Sequence, residues 1–390
     1  MSAKQYPKRI VPARSSPQRG PPGAGRAVWR DALEPYTRAD RGRGQRFLLI
    51  SVLPYLVLFV LMDLSLGISY LLTLALAIPT AGFLVRTFIV FHDCTHGSFL
   101  ASKRANRWLG TSLGLLVFST FEPWKHSHAV HHATAGDLDR RGVGDVLTLT
   151  VAEYEARSWR GQMAYRLFRN PLVMFGLGPI FALLVQPRIV PRSARPRVKH
   201  SVIATNVVLV GLVGGLCYLM GWREYLLVQT PIIMLAGAAG IWLFYVQHQF
   251  EEAYWQSSTD WSYSDAALRG SSYLALPKLL QFFSGNIGFH HVHHLSARIP
   301  SYNLPRAHDE NPIFHQVPTL SLRDGLRAVR LKLYDQDGAR MVSFAQARSR
   351  RLWAWDIRRL AQPRHPRFGG SPGSGYPAPP TPRPTSGTGG

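Results

Sequence analysis

Four stretches of the chain run for about 20 residues with scarcely a charge: roughly Phe47–Leu66, Ser69–Phe91, Ser201–Gly221 and Tyr225–Val246. At a rise of about 1.5 Å per residue, each reaches across a hydrocarbon core of about 30 Å, so each predicts a membrane-crossing helix. A short linker joins the first pair, and another, around Trp222–Glu224, joins the second. Two further apolar runs, Trp108–Phe118 and Pro171–Val185, are too short to cross comfortably, and Gly176, Gly178 and Pro179 interrupt the second. These are expected as interfacial or half-inserted helices. The pattern therefore predicts an all-α integral membrane protein with four transmembrane helices. Its flanks are different. Residues 1–45 are rich in Arg, Pro and Gly, and 361–390 in Pro, Gly, Ser and Thr, so both are expected as disordered tails around a single domain at 46–360. No apolar stretch follows the first charges closely enough to read as a secretory signal.

Composition explains why the average conceals this. Only 17% of the 390 residues are charged, against about 25% in ordinary soluble domains. The net charge of +23 sits mainly in the first tail and in segments such as Ser102–Arg107 and Arg188–His200, while the linkers inside each helix pair carry almost none. The positive-inside rule then places both termini and the long middle region in the cytoplasm of a multi-pass cell-membrane protein. That reading accounts for the charge without a nucleic-acid partner. It also excludes a soluble enzyme and a disordered scaffold, and two cysteines, Cys94 and Cys217, are too few for a disulfide framework.

The histidines carry the chemistry. Most of the 15 fall in three groups: His92-Asp93-Cys94-Thr95-His96, His128-Ala129-Val130-His131-His132 and His290-His291-Val292-His293-His294. Residues three and four apart share a helix face. So His92 points with His96, His128 with His131 and His132, and His290 with His293 and His294. Neutral imidazole is the commonest metal ligand in proteins and suits Fe, Zn, Cu and Ni. Eight such groups exceed the needs of one ion and fit two, each with an open position. The isolated His200, His308, His315 and His365 read as ordinary interfacial polar residues. Structural zinc is the main competitor, but it usually recruits Cys or stops at four ligands.

The three boxes, in this order and at these positions, resemble those of the membrane fatty acid desaturases, the histidine-box di-iron oxygenases. The resemblance runs from about Phe47 to Leu304 and includes Leu295-Ser296-Ala297-Arg298-Ile299-Pro300-Ser301-Tyr302-Asn303-Leu304, which is similar to the run after the third box in acyl-lipid Δ12/ω6-type members. The stretch from His128 to Asp145 is similar to bacterial members of that group. The resemblance implies two iron ions held by His92, His96, His128, His131, His132, His290, His293 and His294. It implies a ninth ligand near the end of the fourth span, for which His248 is the candidate. Relatives place a water-bridging Asn one turn before that ninth histidine; here the position is Phe244, and Asn286, one turn before His290, is the substitute considered. His126 and His291 lie off the ligand faces, and Asp93 is placed to orient a ligand imidazole.

A shared site constrains topology. All boxes must lie on one side, forming a cytoplasmic histidine-rich helical cap, so an even number of crossings separates the first box from the third. The run Pro171–Val185 then does not cross alone. The implied reaction is O2-dependent insertion of a cis double bond into a fatty acyl chain, with the metal supplying oxidising power that side chains lack. No Rossmann glycine fingerprint, iron–sulfur Cys spacing or fused haem signature is visible, so a ferredoxin or small cytochrome with its reductase is the implied electron donor. Hydroxylation or ketolation of a carotenoid, alkane or other lipid is the alternative within the same architecture. A zinc hydrolase or metal transporter is the alternative outside it; transport needs polar residues facing one another inside the bilayer, and these spans are apolar.

Overall fold

The computed structural model describes residues 24–349, apart from 191 and 193. Residues 1–23 and 361–390, which hold most of the expected tails, lie outside the described residues, as do 350–360 at the expected end of the domain.

The chain is mostly helical. Helix α1 (Ala24–Leu33) and a 3-10 turn (Glu34–Thr37) lead into the first span, α2 (Arg41–Leu66), and α3 (Tyr70–His96) returns beside it. Next come α4 (Lys103–Leu116), α5 (Phe121–Thr134), the two-residue strand β1 (Leu149–Thr150), α6 (Val151–Ala156) and α7 (Trp159–Phe168). The second pair of spans is α8 (Pro196–Met220) and α9 (Trp222–His248). Short elements complete the cap: α10 (Tyr263–Arg269), β2 (Tyr273–Ala275), α11 (Lys278–Phe283), α12 (His290–Leu295), α13 (Leu304–Asp309), β3 (Thr319–Ser321), α14 (Leu322–Ala328), β4 (Leu333–Asp335) and β5 (Arg340–Val342). Sheet is confined to two small patches: β1 pairs parallel with β4 and β4 antiparallel with β5, while β2 pairs parallel with β3.

These four long helices are the ones apolar enough to cross a membrane. α2 and α8 are mostly exposed, as lipid-facing helices are, whereas α3 is buried over more than half of its apolar window. All four spans overrun their apolar stretches, and two of them, α3 and α9, do so at the C-terminal end. α3 continues to His96, where Gly97 takes a left-handed φ of 71° and its N–H returns to Asp93 and Cys94, closing the helix. α9 continues to His248. The first histidine box and His248 therefore sit in the last turns of spans two and four.

The interrupted run after α7 is a bent segment. α7 and residues Val173–Arg188 meet at 56° and count as a fifth crossing only if the pair is one broken span. They are instead re-entrant: the ends of α3 and α9 meet in one cluster, and α8 and α9 form a hairpin, so the chain between α3 and α8 starts and finishes on one side. Two π-helical turns, Val173–Leu177 and Ile180–Val185, press this segment against α9. The contact needs Gly237, where a Cβ would lie 2.6 Å from Pro179. α4, at 14 residues and about 21 Å, is also too short to cross.

One expectation fails. The tail was expected to run to residue 45, yet Leu33 and Tyr36 are buried in a cluster with Phe289, Leu304 and Phe314. The Tyr36 hydroxyl donates to Glu310 Oε2 at 2.6 Å, and Asn303 Nδ2 donates to the Tyr36 carbonyl at 2.9 Å. The packed unit thus begins at least as early as Trp29. A few apolar side chains with distant partners hold this segment down, against a composition that favours disorder.

Candidate metal centre

Each histidine group arrives on a helix end or a one-turn helix. α3 delivers His92 and His96, α5 delivers His128, His131 and His132, α9 delivers His248, and α12 delivers His290, His293 and His294. The nine converge as two sets. His92, His96, His128, His132 and His293 form one, and His131, His248, His290 and His294 the other, with the potential ligand atoms of each set within 4.8 Å of one another. His96 and His248 are half-buried and the other seven are buried. The second box is split between the sets: His128 and His132 face one, His131 the other.

Outer contacts fix several rings. His92 Nδ1–H donates to Asp93 Oδ1 at 3.1 Å, His131 Nδ1–H donates to Asp145 Oδ1, and His248 Nδ1–H donates to the Gly270 carbonyl at 3.1 Å. Carboxylates and carbonyls accept only, so the ring proton lies on Nδ1 and each Nε2 is left with a lone pair. Yet His131 Nε2 and His248 Nε2 face each other at 3.1 Å. Two lone pairs at that distance repel unless a cation lies between them. The same spacing recurs at His92–His128, 3.0 Å, His132–His128, 3.1 Å, and His248–His290, 2.9 Å, all between Nε2 atoms. Imidazoles at right angles on one ion, with bonds of about 2.1 Å, would hold their nitrogens about 3.0 Å apart.

Protonation state agrees. Burial first, then neighbouring imidazoles, holds His128, His132, His290, His293 and His294 well below the ordinary imidazole pKa. These rings are neutral, as ligands must be. His96 Nε2, His294 Nε2 and both nitrogens of His293 are buried without a hydrogen-bond partner, which is costly in a protein interior unless something else satisfies them. The cluster is compatible with a metal site.

The remaining candidates separate cleanly. His126 is exposed. His291 is buried on the far side of α12, its Nε2 3.0 Å from His308 Nδ1, so His308 is a packing partner for His291. Asp93 is buried and tied on both oxygens, accepting also from Ser301 N–H at 2.6 Å. Asn286 does not serve the cluster: its amide donates to the Ser301 carbonyl at 3.2 Å, from a backbone with φ of 65°. Phe244, where relatives place Asn, lies 5.0 Å from the His131 ring and 5.5 Å from that of His248, supplying an apolar wall.

Sequence reading missed Asp145 and Trp124. Trp124 stacks on His128 at 4.3 Å and packs edge-on against Phe88 and Phe91, shielding the five-histidine set. Asp145 is delivered by Gly144, whose φ is 73° and whose Cβ, if present, would lie 2.5 Å from the Ser127 carbonyl. Only glycine lets that loop lie against α5. The signal was present, since the glycines of Arg141-Gly142-Val143-Gly144-Asp145 mark a tight loop soon after the second box. Asp145→Ala is expected to lower metal affinity or turnover about 10- to 100-fold, as loss of a carboxylate behind a ligand histidine does. Metal content against activity across Ala and Asn variants reads this out, and unchanged values in the Ala variant refute the role.

Four helices apolar enough to cross a membrane, with nine imidazoles clustered at one end of them, define a helical protein with a histidine cluster compatible with a metal site. Comparison with known proteins gives the family. The family model described as Fatty acid desaturase matches residues 68–322. The chain is 48% identical over 297 residues to a protein named fatty acid desaturase from Bacillus subtilis, covering 76% of this chain and 84% of that one. It is 28% identical over 267 residues to an sn-1 oleoyl-lipid 12-desaturase of Synechocystis, covering 62% and 70%. It is also 28% identical over 236 residues to an sn-1 acyl-lipid omega-3 desaturase (ferredoxin) of Synechocystis, covering 56% and 62%. The chain belongs to the fatty acid desaturase family. It is an oxidoreductase of fatty acyl chains, and the hydroxylase or ketolase alternative is set aside.

Proposed function

We propose that the two histidine sets hold two iron ions, five imidazoles around one and four around the other, and that the protein uses O2 to insert a cis double bond into an acyl chain of a membrane lipid. The observation that carries this is the division of the ring nitrogens into two compact sets. A set of five exceeds the tetrahedral demand of structural zinc, and a set of four leaves one position more open. When bound, the metal pair supplies the oxidising power that an unactivated CH2–CH2 pair requires.

The chain's own residues do the rest. Asp93, Asp145 and the Gly270 carbonyl hold the protons of three rings on Nδ1 and orient their Nε2 atoms inward. Trp124, Phe88, Phe91 and Phe244 wall the cluster with aromatic surface and exclude water. Beside the four-histidine set, His131, His248, Asp145 and Phe244 line a cavity of about 20 Å³, room for one water-sized molecule.

Electrons arrive from a separate carrier. The ferredoxin in the name of the Synechocystis relative supports a ferredoxin, with a small cytochrome as the other option, each with its reductase. Exposed Lys103, Arg104, Lys125, Arg197 and Lys199 give the histidine end a basic surface suited to an acidic carrier. The distribution of positive charge supports a cytoplasmic position for that end and for both termini. A tag inserted near Arg140 is therefore expected to be reachable from the cytoplasm alone, and one near Trp222 from the opposite face. Labelling of both tags from the same side would break this topology.

The decisive assay is expression in a host without polyunsaturated lipids, with mass spectrometry locating any new double bond. Iron-replete protein, supplied with reduced donor and O2, that leaves every lipid class unchanged would refute the proposal.

A further inference from the structure

Away from the histidines, a second polar feature lies inside the apolar part of the fold. Arg86 is on α3, six residues and about 9 Å before His92 along the helix. It is only 5% exposed. Its guanidinium is sandwiched between the rings of Phe47 and Phe282, at 3.9 and 4.2 Å, and it donates to the Phe282 carbonyl. Its Nε is buried with no hydrogen-bond partner. Among the described residues no carboxylate pairs with it. A charged residue within a membrane-spanning helix is expensive and marks function unless a counter-charge is present.

The neighbourhood adds two more arginines, and the nearest acids are already engaged: Asp40 accepts from the Arg43 backbone N–H, and Asp93 from His92 and from Ser301 N–H. Arg43, Arg46, Phe47 and Ile50 follow the i, i+3, i+4, i+7 spacing of one face of α2. With Arg86 and Tyr302 they line an open cavity of about 230 Å³. Arg43 is steadied by donating to Asn303 Oδ1 at 3.2 Å, while Arg46 has no ion pair among the described residues. The Tyr302 hydroxyl is already used, donating to the Phe99 carbonyl and accepting from Asp40 N–H. Three guanidinium groups thus point to an anion with several oxygens, since the planar fork of arginine matches phosphate and carboxylate.

The surroundings specify which anion. The lining includes Phe47 and the lipid-facing Ile50, and α2 continues away from the cavity with Leu49, Leu53 and Leu56 exposed. A water-soluble anion has no use for that surface, whereas acyl chains would cover it. We propose that this cavity binds the phosphate of a phospholipid, holding the headgroup at Arg43, Arg46 and Arg86 with the chains against α2, and so positions an acyl-lipid substrate at the histidine end of the spans. The substrate role rests on the acyl-lipid reading above; the binding itself does not.

The experiment uses the full-length, metal-loaded protein in an uncharged detergent and measures binding by calorimetry. The probes are dioctanoyl-phosphatidylglycerol, dioctanoylglycerol, octanoate and inorganic phosphate. Saturable binding of the phospholipid is expected, at least tenfold tighter than inorganic phosphate or octanoate, with none by the diacylglycerol that lacks phosphate. Arg46→Glu, at an exposed position that leaves folding intact, should weaken phospholipid binding at least tenfold and raise the substrate KM with little change in kcat. Arg86→Met should do the same if it folds. Equal binding of diacylglycerol, equal binding of inorganic phosphate, or an Arg46→Glu variant with unchanged affinity overturns the proposal. Tight, arginine-dependent binding alongside double bonds found only in free or protein-carried acyl chains, and in no membrane lipid, would keep the binding site and refute the acyl-lipid reading instead.

Discussion

His293→Ala is expected to lower desaturation at least about 100-fold and bound iron by about half, a larger loss than removing a residue that acts behind a ligand. The His293 ring lies 4.4 Å from that of His92, 4.6 Å from His132 and 4.9 Å from His96, at the centre of the five-histidine set. Both of its nitrogens are buried without a protein partner, so packing alone does not explain its placement. Alanine would leave four imidazoles and a hole, while the set of His131, His248, His290 and His294 keeps its full complement. The contrast with His308→Ala is the control. That residue pairs with His291 on the outer side of α12, and its loss is expected to spare both iron and turnover. Iron measured by mass spectrometry, alongside double-bond yield at matched protein, separates the cases. A folded His293→Ala protein with normal iron and turnover would sink the di-iron assignment.

The spans and the three histidine groups were legible because each rests on a local rule. Twenty apolar residues must be a crossing helix in a bilayer, whatever packs against them. Histidines four apart share a helix face, and His92 with His96, His128 with His132 and His290 with His294 each stay in one set. The expected pairing at a spacing of three fails: His131 and His293 face the sets opposite to His128 and His290. The split of the second box was not legible, because His131 and His132 are neighbours on one helix and only the placement of α9 and α12 sends them to different sets. His248 was reached through resemblance, and its geometry comes from α9 running on to the level where α3 ends.

What stayed hidden depends on contacts distant in sequence. Tyr36 and Glu310 are 274 residues apart, and nothing near Tyr36 announces that the first tail is pinned there. Asp145 reads as one of three acids, with Asp137 and Asp139, in the loop after the second box until Gly144 lays it against α5. Asn286, placed one turn before His290 on paper, fails because its backbone is not helical: with φ of 65° its side chain turns to Ser301. Helical spacing was a sound guide only where a helix exists.

Arg169 is the largest fully buried side chain among the described residues, sequence reading passed over it, and it sets up the strongest stability effect. It is fully buried at the end of α7. It donates to the Leu147 carbonyl at 2.6 Å and to Tyr245 Oη and Gln249 Oε1, each at 2.9 Å. Those partners join the loop before β1 to the last turn of α9, on either side of His248. Two effects oppose each other in Arg169→Met. Removing a buried cation relieves a desolvation penalty, and methionine keeps much of the stem. Against this, the Leu147 carbonyl and the Gln249 amide oxygen lose their strongest donor, and each orphaned buried acceptor costs about 1–3 kcal/mol. Gln249 retains Thr148, at 3.2 Å, as a partial replacement. The net expectation is destabilisation of about 2–4 kcal/mol, read from unfolding in detergent. A second readout identifies the cause. Lys332 lies 3.5 Å from Tyr245 Oη, and burial, with the like charge of Arg169 added, pushes its pKa down to about 7. Because the unfolded chain holds that proton to higher pH, wild-type stability should rise with pH from about 7 towards the ordinary lysine value, the folded state being free of the buried charge there. With Arg169 gone the Lys332 pKa moves back up, and that rise should flatten. Loss of stability with the pH dependence unchanged would mean that Arg169 acts through its hydrogen bonds and packing and not through its charge on Lys332.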